Sequence, residues 1–172
     1  MAVLSVQEIN NHFIDNRYLL NVIHQPDLWN SLNIPRLPIP TKVKFDEDIK
    51  TNMPQAIKNN KGLYMFFLEP LHPFEPTINH LLYIGRVREG QTNFNFFKRF
   101  DEYKNQIGNI NGSLNKVLLT NLWSDYTHVY FYSLNNLTDD EIARIEDEII
   151  KKIIPPLNSK IGGKTEQTRN LY

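Results

Sequence analysis

The stretch TDDEIARIEDEIIKKIIPP, residues 138–156, specifies one element together with both of its ends. Thr138 with Glu141 three residues later is a capping box, in which each side chain satisfies a backbone N–H that the first helical turn leaves orphaned. Leu137 and Ile142 occupy the positions of a hydrophobic staple. Asp139 and Asp140 suit the positive end of the helix dipole. Ile142, Ile145, Ile149, Ile150 and Ile153 recur at helical spacing and mark a buried face. Pro155 and Pro156 end the helix, because proline has no N–H to donate and restricts the residue before it. The spacing predicts a helix over 138–154 whose apolar side must lie on a sheet or another helix.

One acid does not fit that pattern. At 100° per residue, Glu146 falls about 40° from Ile142, inside the apolar stripe, while Asp147 and Glu148 point away from it. Burying a carboxylate without a partner is costly, so Glu146 requires a cation, a donor network or a water-filled cleft. A structural salt bridge would satisfy it, and so would a functional site. Arg86 and Arg99 are the candidate cations.

The other elements are read from shorter patterns. GLYMFFL (62–68) and HLLYIGRV (80–87) are apolar, aromatic-rich strands. The proline-broken loop between them suggests an antiparallel pair. THVYFYSL (127–134) alternates, with His128, Tyr130 and Tyr132 on one face and Val129 and Phe131 on the other. NFNFFKRFDEYKNQI (93–107) places Phe96, Phe97, Phe100, Tyr103 and Ile107 at helical spacing, with Arg99 beside Phe96 and Tyr103. LNKVLLTNLW (114–123) reads as a further helix. Residues 1–60 differ from the rest: short helices within 5–24, the proline-rich connector PRLPIP, and a short helix near PQAIKNN, which together predict a mostly helical extension packed on a core domain at 61–158. Residues 159–172 form a polar tail. Within 80–87, Gly85 is the anomaly. A glycine weakens a strand interior and marks a bulge or a close approach to the backbone, and Arg86 behind it must find water or an anion.

Composition narrows the function. The chain has 172 residues and no cysteine, which excludes disulfides, thiolate metal sites and a cysteine nucleophile. The N-terminus shows neither a basic nor an apolar leader region, and no apolar run approaches the roughly 18 residues of a membrane span, so a cytoplasmic protein with no membrane partner is expected. Nineteen basic and nineteen acidic residues cancel. The distribution is uneven: residues 86–117 and 151–172 are locally basic, which allows a basic face on a neutral chain.

Taken in order, G-L-Y at 62–64, L-Y-I-G-R at 82–86, K-R-F-x-x-Y at 98–103 and E-x8-P-x2-N from Glu146 through Pro155 to Asn158 resemble the GIY-YIG nuclease superfamily. The spacing after Arg99 and after Glu146 is similar to that in the GIY-YIG domain of the nucleotide-excision-repair incision subunit. The resemblance spans residues 62–158. It implies an α+β fold, a small three-stranded antiparallel sheet flanked by helices, and a hydrolase that cuts DNA phosphodiester bonds with Mg2+ or Mn2+. It also implies roles. Glu146 would hold the metal. Tyr64 and Tyr83 would line the site and handle the attacking water. Arg86 and Arg99 would hold the scissile phosphate. Tyr103 would assist proton transfer or phosphate positioning, and Asn158 would orient the site. Gly85, Arg88 and Lys98 would meet the substrate, with Gly85 letting the backbone pass close beneath it. A tyrosine with a pKa near 10 is a poor base at neutral pH. It would need nearby cations to lower that pKa, or would only relay a proton. An endonuclease with one such site cuts two strands as a homodimer or by sequential nicks. The alternatives are a GIY-YIG fold that binds DNA or protein without catalysis, and a dimerising structural protein whose polar residues are core networks.

Overall fold

The computed structural model describes residues 26–69, 79–87, 94–109, 111, 114–121 and 125–158. The helices anticipated within residues 5–24, and Arg88, lie outside the described residues. The elements run α1 (Pro26–Asn30), β1 (Thr41–Lys44), α2 (Ile49–Asn52), α3 (Gln55–Lys58), β2 (Gly62–Leu68), β3 (His80–Val87), α4 (Phe96–Lys104), α5 (Leu114–Asn121), β4 (Thr127–Ser133) and α6 (Asp139–Ile153).

The strands form one antiparallel sheet in the order β1-β4-β2-β3. Three were expected, and β1 is the fourth. Val43 pairs with Val129, and Phe45 continues the pairing by donating its N–H to Thr127 O at 2.9 Å. Residues 41–58, read from sequence as part of a mostly helical extension, thus supply an edge strand and two short helices whose Val43, Phe45, Ile49, Met53 and Ile57 are buried in the main core.

Period-two alternation sends side chains to both faces of the sheet. Tyr64, Phe66, Val129 and Phe131 face α4 and α5, where Phe96, Phe100, Tyr103, Val117 and Leu118 cover them. Leu63, Met65 and Ile84 face the opposite way and are covered by Ile142, Ile145, Ile149 and Ile150 of α6. The result is helix, sheet, helix, with a separate apolar core on each side. The first core is an aromatic mesh. Phe66 stacks on Phe100 at 5.9 Å, and Phe45 meets Phe66 edge-on at 5.2 Å.

The helix boundaries follow from their caps. Asn95 accepts from Lys98 N at 2.9 Å and starts α4 three residues later than the periodicity suggested. The capping box of Thr138 and Glu141 starts α6, and Leu137 packs on the same core as Ile142. At its far end Ile154 adopts a left-handed backbone, φ 55° and ψ 62°, which is rare for a β-branched residue and costs on the order of 1–3 kcal/mol. That turn brings residues 157 and 158 back onto the free edge of β3.

Candidate functional site

Because β3 is the sheet edge, side chains from the two faces meet around it. Register places Tyr64 opposite Gly85 and Leu63 opposite Arg86, so Tyr64 and Arg86 point to opposite sides of the sheet. A β-bulge at Leu82, between the pairs Phe66–Tyr83 and Phe67–Leu81, sets this phase.

The close approach anticipated at Gly85 is made from within the protein. A Cβ at residue 85 would stand 2.4 Å from both Cζ and the hydroxyl oxygen of Tyr64. The missing side chain accommodates the Tyr64 phenol, which leaves no room on that face for a ligand against the glycine. Tyr64 is fully buried.

On the α4 side, three polar groups are linked. Arg99 Nε donates to the Tyr64 hydroxyl at 2.9 Å, and that hydroxyl shares a 3.1 Å hydrogen bond with the Tyr103 hydroxyl. The Arg99 guanidinium lies 5.3 Å from the Tyr103 ring centre, and its Nη1 donates to Glu102 Oε2 at 2.5 Å. Tyr83 is only partly buried, with its ring 6.3 Å from that of Tyr64. Burial pushes the Tyr64 phenol well above its usual pKa, with a further rise from Tyr83 that the Arg99 charge does not cancel. Burial likewise raises Tyr103. Both stay protonated at neutral pH. Of the two routes open to a tyrosine here, the lowered pKa is closed to this pair; the Tyr64 hydroxyl accepts from Arg99, and the Tyr103 ring supports its guanidinium.

On the α6 side, Arg86 Nη1 donates to Glu146 Oε2 at 2.5 Å. Burial raises the Glu146 carboxyl from its ordinary 4.5 to about 7, against the opposing pull of Arg86, with Asp147 adding to the rise. The Arg99 charge makes a smaller contribution in favour of the ionised Glu146. Arg86 offsets part of the desolvation of this part-buried carboxylate.

Asn158 secures the strand between these halves. Its Oδ1 accepts from Ile84 N at 2.9 Å and its Nδ2 donates to Ile84 O at 2.8 Å, while Leu157 N donates to Leu82 O at 3.0 Å. A side-chain amide thereby plays the part of a fifth strand along the segment carrying Tyr83, Gly85 and Arg86.

The structure brings Tyr64, Tyr83, Gly85, Arg86, Arg99, Tyr103, Glu146 and Asn158 to one edge of the sheet. Lys98 is exposed on α4, where its backbone N–H serves the helix cap. Glu102 was not singled out from the sequence, although its i,i+3 spacing from Arg99 is a standard ion-pair signal. Among the described residues no three His, Asp or Glu side chains converge as a metal cage. The residue expected to hold a metal, Glu146, is held by Arg86 here; hard cations such as Mg2+ or Mn2+ take carboxylate oxygens and retain waters. No helix among the described residues is long and apolar enough to cross a membrane. No family model, curated protein or solved structure matches the chain.

Proposed function

We propose that the chain is a metal-dependent endonuclease of the GIY-YIG type that hydrolyses phosphodiester bonds in DNA. The observation that carries this reading is the pair of Arg86 with the part-buried Glu146 on one face of the edge strand, with Arg99 held by Tyr64 on the other. A phosphodiester is anionic and concentrates charge in its transition state, so fixed guanidinium groups there stabilise it more than the ground state. Arg99 is pre-positioned by Tyr64 and Tyr103, and Arg86 by the paired edge strand. Tyr83 is the phenol of the cluster that is not enclosed, and it orients the attacking water or relays a proton. Glu146 would hold Mg2+ or Mn2+, which supplies Lewis-acid stabilisation of the phosphoryl oxygens. A pure binding module has no use for a buried acid aimed at a polyanion, which favours catalysis over the binding-only alternative.

The test is cleavage of supercoiled plasmid with Mg2+ or Mn2+. Wild type is expected to nick or linearise it. Glu146→Ala and Arg99→Ala are each expected to lose roughly a hundredfold or more in rate. A nicked intermediate preceding linear product would indicate sequential cuts, and direct linearisation would indicate a homodimer. A wild type that binds plasmid, branched or single-stranded DNA without cutting any of them replaces this reading with the binding module.

A further inference from the structure

Both arginines assigned to phosphate already hold a carboxylate of their own chain. Arg86 holds Glu146, and Arg99 holds Glu102, each at 2.5 Å. The two acids differ in their freedom to leave. The Glu146 side chain is 14% exposed and lies within the buried stripe of α6. The Glu102 side chain is 45% exposed, one turn along α4 from Arg99. An exposed i,i+3 pair of long side chains contributes little and separates readily.

Arg99 does not have to move when Glu102 leaves. Its Nε is fixed on the Tyr64 hydroxyl, and its plane packs beside the Tyr103 ring. Nη1 keeps its aim, and what it loses is one anionic oxygen. A phosphodiester offers the same kind of acceptor, and guanidinium groups bind carboxylate and phosphate oxygens by the same hydrogen-bond geometry.

Resting on the nuclease reading for the identity of the ligand, we propose that Glu102 is an internal stand-in for the phosphate. Its carboxylate occupies Arg99 in the free protein, and a phosphodiester oxygen displaces it. Binding must first break the Arg99–Glu102 pair. Glu102 therefore weakens binding, and it sets how much of the Arg99 charge a nucleic acid can use.

The test is binding of a labelled duplex in EDTA by wild type, Glu102→Gln, Arg99→Met and the double variant. Glu102→Gln is expected to tighten binding roughly three- to tenfold. In the Arg99→Met background the same change is expected to give less than about a twofold gain, because the interaction is through Arg99. An equal gain in both backgrounds reduces Glu102 to a general surface charge and overturns the proposal. A loss of affinity in Glu102→Gln makes the acid a support for Arg99 and also overturns it, as does the absence of binding by every variant. Should Arg99→Met fail to fold, the Arg99 Nε–H resonance is followed while inorganic phosphate is titrated into wild type and Glu102→Gln. The variant should respond at lower phosphate, and equal responses or none would sink the idea. Cleavage with Mg2+ run in parallel separates the two readings. Cleavage without a Glu102→Gln effect removes the displacement alone, whereas a Glu102→Gln gain without cleavage removes the nuclease and leaves the displacement standing.

Discussion

Glu146 shows what a single misplaced acid does to a helix. Its carboxyl is raised, first by burial, from 4.5 to about 7. A group that binds its proton more tightly folded than unfolded stabilises the protonated fold, so stability falls as pH rises through that window, and the cost is complete above about pH 7. Glu146→Gln is therefore expected to raise the melting temperature of the metal-free protein more at pH 8 than at pH 5. The expected gain at the higher pH is on the order of 1–3 kcal/mol. Thermal melts of both proteins at the two pH values check this, and a constant gap would show that Glu146 is not linked to folding. The helical wheel was enough to find this residue. It could not choose between Arg86 and Arg99, because that choice is made by sheet register. Pairing of Leu63 with Arg86 sends Arg86 to the α6 side, and Arg99, on α4, goes to Tyr64 and Glu102.

The elements with strong local signals were legible for physical reasons. Residues 62–68 and 80–87 carry dense apolar runs rich in aromatic and aliphatic side chains, and α6 carries both a capping box and a proline stop. β1 was not legible. It is four residues long, follows a proline-rich connector, and turns only Val43 and then Phe45 inward, so its pairing with β4 is decided by tertiary contact. The clamp on β3 is half legible: the resemblance implies that Asn158 orients the site, but nothing local shows that its partners are both backbone groups of Ile84. Asn158→Ala leaves that N–H and C=O without the side-chain amide and is expected to cost roughly 2–4 kcal/mol. It should also speed hydrogen exchange at the Ile84 amide well beyond the global loss of stability. Denaturant titration with exchange measured at that amide distinguishes a local clamp from a general one. Unchanged protection at Ile84 would show that β3 holds its own edge.

At the scale of the whole molecule, residues 41–58 belong to the core. Phe45 is fully buried against Phe66 and Phe100, and Phe45→Ala is expected to destabilise by about 3–5 kcal/mol. Urea denaturation measures it, and a loss below about 1 kcal/mol would mean that this segment is an appendage after all. The strand order has a further consequence for how the molecule is made. Among the described residues β1 pairs only with β4, more than eighty residues later, and β4 also separates β1 from β2. During synthesis the 62–68 and 80–87 hairpin can form early, but β1 must wait, since pairing distant in sequence is slow and comes late. Tyr64, Tyr83, Arg86, Arg99 and Tyr103 emerge from the ribosome before Glu146, and Asn158 comes last. A nascent chain thus displays groups able to grip an anion while it still lacks the acid and the clamp, and the hydrolytic half of the proposed site arrives only with the last helix.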